Sequence, residues 1–454
     1  MWERRLNKSG VFSSASEGMG DIISLMKEWT TNSNAVCNTT IMNEEGEGMK
    51  DALAPLQESK RIISIDILRG MAILGIFLVN MASFHSPILY INGVSYWDES
   101  WDRILYIFSD IFAQASFYPL FAFLFGFGAV ILAVRSEDRG VSFPFLFIKR
   151  LCFLLVIGCL HAFFIWHGDI LVNYALFGLA FLLFYKWQGK YLMWLGSFLY
   201  IVPFAVFGAF FLIMSFIDGG SMEIENDGPM IKESLEFYSG GTFTEVTGQR
   251  VEDWYMVNNP TNAIFLFLSI FPYFLIGAGV AKQGWLQNVS RYKRSLTMVA
   301  LISFLAGLAI KLLPYLTVYD YGTTFVQDYF GGPLLTMFYI SSIALLLEKA
   351  WAYKMFYPLS FVGRMSMSNY LFQSIVCSFI FYSYGFGFYG KVTYTEGFLL
   401  MMVVFSIQLL LSYWWMKRFR FGPVEYIWRF ITYGKKPVMK RVGVIPQGEK
   451  KDRS

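Results

Sequence analysis

The sequence predicts an all-α fold, a polytopic transmembrane helix bundle of about ten spans with both chain ends in the cytoplasm. Three observations predict it. Apolar residues make up 56% of the 454-residue chain and charged residues only 15%, against roughly 25% charged in soluble domains. The apolar residues gather in runs of roughly 20, the length that crosses a bilayer. The loops between the runs alternate between basic and basic-poor, as the positive-inside rule requires.

The runs fall at about 63–83, 113–134, 148–166, 170–186, 191–216, 262–281, 295–316, 333–349, 366–386 and 397–416. The third and fourth are separated only by His167-Gly168-Asp169, which predicts a tight helical hairpin. One set of loops carries Lys60 and Arg61, then Arg135, Arg139, Lys149 and Arg150, then Lys186 and Lys190. It continues with Lys282, Arg291, Lys293 and Arg294, then Lys349, Lys354 and Arg364. The tail after Met416 holds eleven Lys/Arg against three Asp/Glu. The longest basic-poor segment, 217–261, holds nine Asp/Glu against Lys232 and Arg250. A wrong span count would break this alternation, so the apolar runs and the charges support each other.

Three regions follow. Residues 1–60 are polar, lack a secretory h-region and read as a flexible cytoplasmic extension with one short helix around 22–29. Residues 61–416 form the transmembrane domain, and 217–261 is its outer acidic loop. Residues 417–454 form a basic cytoplasmic tail, a stop-transfer flank or a contact for anionic membrane lipid. The net charge of +4 is small and points to no nucleic acid. The cysteines, at 37, 152, 159 and 377, show no CxxC or Cys/His spacing, so neither a disulfide framework nor a metal site is expected. No internal repeat and no broken span is evident, which weighs against an inverted-repeat transporter.

Ionisable and amide side chains at membrane depth are costly, so each is a functional candidate. On the first span Asp66, Arg69 and Asn80 share a face, with Asn80 about 21 Å beyond Asp66 at 1.5 Å per residue. Asp66 and Arg69 can neutralise each other at i,i+3. The stripe lines a functional path or clamps the bundle. On the third span Arg150 marks the inner end, and His161 sits about 16 Å outward on nearly the same face. His167 and Asp169 follow in the hairpin. A histidine beside a carboxylate makes a general base with its orienter; alternatively His161 is an interhelical hydrogen-bonder. His85 reads as an interface residue. On the ninth span Asn369 and Gln373 share a face at i,i+4, to line a cavity or to bond neighbouring helices. Gly385-Phe-Gly387-Phe-Tyr-Gly390 fits GxGxxG but follows no strand, so it is set aside.

Four blocks resemble the YeiB-like membrane proteins, domain-of-unknown-function family 418, which are multi-pass bacterial envelope proteins. They are Asp66-Ile-Leu-Arg69-Gly70 through Asn80, Phe117-Tyr-Pro119 through Gly126-Phe-Gly128, Arg150 through His161 to Gly168-Asp169, and Gly363-Arg364 through Asn369 and Gln373 to Ser374. The closing Phe421-Gly-Pro423-Val-Glu425-Tyr-Ile-Trp428-Arg429 resembles the family's C-terminal signature. The resemblance runs from Arg61 to Tyr433 and implies a multi-pass protein of the bacterial plasma membrane.

In its first span the family is similar to the transmembrane acyltransferases, among them the lysosomal heparan glucosamine N-acetyltransferase. Those enzymes move an acyl group from cytoplasmic acyl-coenzyme A to an acceptor across the membrane. An Asn late in that span and a following His are implicated there. Asn80 matches the Asn; His85 comes too early for the His, so His161 would stand in for it. The resemblance thus implies acyl-coenzyme A as donor, no metal, and an envelope sugar or small metabolite as acceptor. His161, Asp169 and Asn80 would be catalytic, with Asp66, Arg69, Arg150 and Arg364 at the coenzyme. His167, Asn369 and Gln373 would contact the acceptor. Transport of a small solute or lipid along the same polar stripe, and a non-catalytic membrane component, are the alternatives.

Overall fold

The computed structural model describes residues 62–138, 140–217 and 224–441. The short helix expected around 22–29 lies outside them. In chain order the helices are α1 (Ile63–His85), α2 (Gly93–Tyr96), α3 (Ser100–Phe112), α4 (Phe117–Glu137), α5 (Phe143–Phe164), α6 (Leu171–Phe181) and α7 (Gly189–Ile217). After these come α8 (Gly228–Gly240), α9 (Phe243–Asn258), α10 (Pro260–Gln283), α11 (Val289–Leu316), α12 (Tyr321–Val326) and α13 (Gly332–Leu346). The last are α14 (Ala350–Phe356), α15 (Leu359–Arg364), α16 (Ser366–Phe381), α17 (Tyr394–Arg418) and α18 (Pro423–Tyr433). No β-strand occurs among the described residues.

Every apolar run is helical at its centre, and among the described residues eight helical segments are long and apolar enough to cross a membrane. The other two runs give shorter helices, α6 with 11 residues and α16 with 16. Burial separates centre from rim. In the most apolar stretch of each helix, 67% of α3–α4, 61% of α10 and 56% of α1 is buried, but only 17% of α7 and 28% of α11. Trp194, Phe198, Val206 and Phe216 on α7 are all more than half exposed. Such a face is stable only in lipid.

The absence of broken spans, expected from the sequence, is corrected at two places. α3 and α4 belong to one apolar run that is interrupted between them, where Ala115 takes φ 58° in the left-handed region. α12 passes into a π-helical turn, Gln327–Gly331, before α13. An apolar pattern tolerates one inserted residue, so neither irregularity leaves a mark in hydropathy. The two meet in space. Thr336 donates to the freed Ser116 carbonyl at 2.5 Å and Tyr339 to that of Phe112 at 2.6 Å. Freed carbonyls at membrane depth persist only when side chains take them up in this way.

Two helix crossings depend on glycine. A methyl group at Gly126 of α4 would overlap the Phe274 carbonyl of α10, and one at Gly277 of α10 would overlap that of Phe123. Likewise Gly70 of α1 lies against the Leu359 carbonyl of α15, and Gly363 against that of Asp66. Backbones approach this closely only through small residues. Gly363→Ala is therefore expected to destabilise the protein by about 1–3 kcal/mol. A lowered unfolding temperature in detergent tests this; an unchanged one shows that α15 can shift freely.

The acidic segment is more ordered than a loop. α9 opens with a capping box in which Thr242 and Glu245 satisfy each other's backbone N–H. Val246, Gln249, Arg250 and Asp253 form its buried face, while Val251, Glu252 and Tyr255 face outward. Three of the four inward residues are polar, the reverse of a packing helix.

Candidate functional site

The acid end of the bundle is built around the turn between α5 and α6. His161, on the last turn of α5, is fully buried. Its Nδ1 lies 2.8 Å from Asp169 Oδ1. The other carboxylate oxygen accepts the Val172 N–H at 2.8 Å, at the start of α6. That hydrogen bond at the start of α6 fixes the orientation of the Asp169 carboxylate. With the proton on Nδ1 donated to Asp169, Nε2 keeps its lone pair, and it has no hydrogen-bond partner among the described residues. Tyr370 and Ser378 of α16 pin the turn by donating to the carbonyls of Gly168 (3.1 Å) and Ile165 (2.9 Å). Phe84 of α1 packs against Trp166 with ring centroids 4.3 Å apart and the rings tilted by 35°.

His167 belongs to a second His–carboxylate pair. Its Nδ1 is 3.5 Å from Asp253 Oδ2 and 3.3 Å from the Tyr238 hydroxyl, and its Nε2 is 3.3 Å from Ser83 Oγ. Burial holds His167 below its usual pKa, with Asp253 offsetting only part of that shift. Its imidazole is neutral at neutral pH. Asp253 itself accepts from Tyr90 at 2.5 Å, Tyr238 at 2.6 Å and Gln249 at 2.8 Å. Asn80 is half-buried and stands one turn before Ser83 and Phe84, on the face that meets Trp166 and His167.

The basic end gathers arginines. The Arg150 guanidinium lies 4.1 Å over the Trp428 ring of α18, and Trp428 Nε1 donates to the Arg150 carbonyl at 3.1 Å. The charges of Arg429, Arg69 and Arg135 all act on Arg150. Arg69 Nη1 is 3.6 Å from Asp66 Oδ1. Arg364 is half-buried at the end of α15, next to the Gly363–Asp66 crossing. Glu425 of α18 accepts the Met367 and Ser368 N–H groups at 2.8 and 3.1 Å, which ties the tail to the start of α16. A separate cavity of about 460 Å³, lined by Ser64, Gln287, Arg291, Glu348 and Tyr353 among others, lies apart from Arg69, Arg150 and Arg364.

The remaining candidates sit elsewhere. Asn369 Nδ2 donates to the Val362 carbonyl at 3.0 Å and to Ser412 Oγ at 3.1 Å, and Gln373 donates to Gln408 Oε1 at 2.8 Å. Gln408 donates back to the Asn369 carbonyl. These amides join α16 to α17 and are already occupied. His85 packs among Trp97, Phe381 and Tyr394.

Two sets of residues are not apparent from the sequence. One is Tyr90, Tyr238, Gln249, Arg250 and Asp253, whose polarity is ordinary for an outer loop; the helical spacing of the last three, on α9, was the available signal. The other is an ionic group beside the π-helical turn. Lys311, fully buried, places Nζ 3.0 Å from Asp328 Oδ1. Gln327 and Tyr315 donate to Asp110 Oδ2 at 2.6 and 2.7 Å. A lysine inside an apolar run was the signal there.

Fold and site together define a polytopic α-helical membrane protein with a buried His–Asp pair towards one end and clustered arginines at the other. The chain belongs to the family described as "Protein of unknown function (DUF418)", whose model matches residues 280–435. It is 34% identical over 409 residues to the uncharacterised protein YxaH of Bacillus subtilis (strain 168), covering 87% of this chain and 100% of the relative. It is 28% identical over 390 residues to an uncharacterised 39.9 kDa protein in the amylase 3' region of Bacillus acidopullulyticus, covering 84% and 96%. With the uncharacterised protein YeiB of Escherichia coli (strain K12) it shares 27% identity over 396 residues, 82% of this chain and 96% of the relative.

Proposed function

We propose that the protein transfers an acyl group from an acyl-coenzyme A held at its basic, cytoplasmic end to a hydroxyl or amine at its acid end, across the bacterial plasma membrane. The observation that carries this reading is His161 Nε2, a lone pair oriented by Asp169, buried and without a partner among the described residues. It lies about 16 Å along α5 from Arg150, a gap for the extended pantetheine arm of the coenzyme.

Each group then has a task. Arg69, Arg150 and Arg364 bind the coenzyme phosphates, and Asp66 orients Arg69. His161 Nε2 takes the proton of the acceptor as its oxygen or nitrogen bonds to the thioester carbonyl carbon. The Asn80 amide donates to the oxyanion that forms. The C–S bond breaks, and the thiolate of coenzyme A takes the proton from His161. His167, with Ser83 and Asp253, fixes the acceptor beside the turn. Asn369 and Gln373 hold α16 against α17 and thereby position Tyr370.

Binding of acetyl-coenzyme A to the purified protein, read by calorimetry, is the direct test. Saturable binding is expected, and Arg150→Ala is expected to weaken it roughly tenfold or more, the loss of one charge-assisted contact. A folded sample that binds neither acetyl- nor longer acyl-coenzyme A ends this reading.

A second reading, transport of a small solute, has its own support in the interrupted α3–α4 run and the Lys311–Asp328 pair at membrane depth. Solute counterflow in proteoliposomes lacking any acyl donor separates the two.

A further inference from the structure

Arg250 is the least satisfied charge among the described residues of the acid end. It is fully buried on the inward face of α9. One nitrogen, Nη1, donates to the Phe163 carbonyl at 2.9 Å. The other two, Nε and Nη2, have no hydrogen-bond partner among the described residues. A guanidinium presents five N–H donors and no acceptor, and burying it with most of them unmet is unstable unless something supplies acceptors.

The nearest carboxylate on its own helix does not supply them. Asp253 stands three residues on, but its oxygens are taken by Tyr90, Gln249 and Tyr238, with His167 at 3.5 Å. The surroundings add donors instead. Trp254 Nε1, one turn along α9, is buried and unpartnered among the described residues, and its ring lies 5.1 Å from that of Phe163. The Tyr382 hydroxyl is also buried and unpartnered, with the Arg250 guanidinium 5.8 Å from its ring centroid. Arg250 and two neighbouring side chains thus carry unmet N–H or O–H groups at one positive charge. Aromatic rings line the same place, Tyr238 stacking on Tyr382 at 4.6 Å.

We propose that Arg250, Trp254 and Tyr382 form a binding site for an oxyanion, a carboxylate or a phosphate ester carried by the molecule that docks at the acid end. A guanidinium grips either group through paired N–H bonds, while an indole N–H and a phenol take the remaining oxygens. Arg250 and Trp254 lie on α9 and Tyr382 caps the end of α16, so the site spans these two helices. If the protein is an acyltransferase, this assigns its acceptor to the acidic sugars or acidic metabolites. That assignment rests on the function proposed above, whereas the binding site does not.

The test uses the full chain in detergent without any acyl donor. Calorimetric titration with glucuronate and with glucose 1-phosphate is compared with glucose, their neutral counterpart. Saturable binding of at least one anionic sugar and none of glucose is expected, the preferred one distinguishing carboxylate from phosphate recognition. Arg250→Gln is expected to weaken it at least tenfold. Tyr382→Phe keeps the ring and the packing, and is expected to weaken binding several-fold should Arg250→Gln fail to fold. Equal binding of glucose, absence of binding by both anions, or unchanged affinity in the folded variants overturns the site. Anion binding without any acyl-coenzyme A binding retains the site and removes the acyltransferase reading.

Discussion

His161→Gln is expected to lower acyl transfer by about 10²–10⁴-fold, the usual contribution of a positioned general base, while leaving acyl-coenzyme A affinity within about twofold. The separation follows from position. His161 lies at the far end of α5 from Arg150 and touches the turn that holds Asp169, not the arginine cluster. Asp169→Asn is a sharper probe of the same idea. An asparagine can still accept the Val172 N–H, so the start of α6 loses at most about 1 kcal/mol. It no longer stabilises an imidazolium, so the rate falls. Transfer from radiolabelled acetyl-coenzyme A to an extracted acceptor, with binding measured on the same preparation, gives both numbers. Rates unchanged in His161→Gln, or losses that merely track misfolded protein, make His161 an interhelical bonder.

The legible part of the molecule was carried by charge and hydropathy. Each apolar run became a helix, because lipid enforces length and backbone satisfaction far more strictly than water does. The His161–Asp169 contact was legible too. Eight residues separate them, one at a helix end and one in the hairpin, so a short turn brings them together whatever the bundle does. What escaped was long-range. Gln327 reaches Asp110 across 217 residues and Tyr238 reaches the Ser383 N–H through its carbonyl across the chain; spacing along a sequence does not encode such meetings. The polar face of α9 escaped for a different reason. In an acidic segment, Gln249, Arg250 and Asp253 read as solvated, and only their i, i+1, i+4 register says that they point together. The interruption at Ala115 was hidden because alanine carries no turn signature; the neighbours Thr336 and Tyr339 hold it open.

The Lys311–Asp328 pair gives the largest expected effect on stability, and the order of its variants is the informative quantity. Lys311 is fully buried, whereas the Asp328 side chain is 31% exposed. Asp328→Asn leaves an ammonium buried among apolar helices with its carboxylate gone. It is expected to cost about 3 kcal/mol or more of unfolding free energy in mixed micelles. Lys311→Met leaves the Asp328 carboxylate, which is less enclosed by protein than the Lys311 ammonium, so its cost is smaller. The double variant removes both charges and is expected to be more stable than Asp328→Asn alone, since neither partner is then stranded. That ordering separates a charge pair from a mere packing site, where the two single losses would add. If Asp328→Asn proves as stable as the parent, the ammonium has another acceptor at the π-helical turn. The ionic group would then owe its place there to solute passage and not to the fold, and the transport reading would gain what the acyltransferase reading loses.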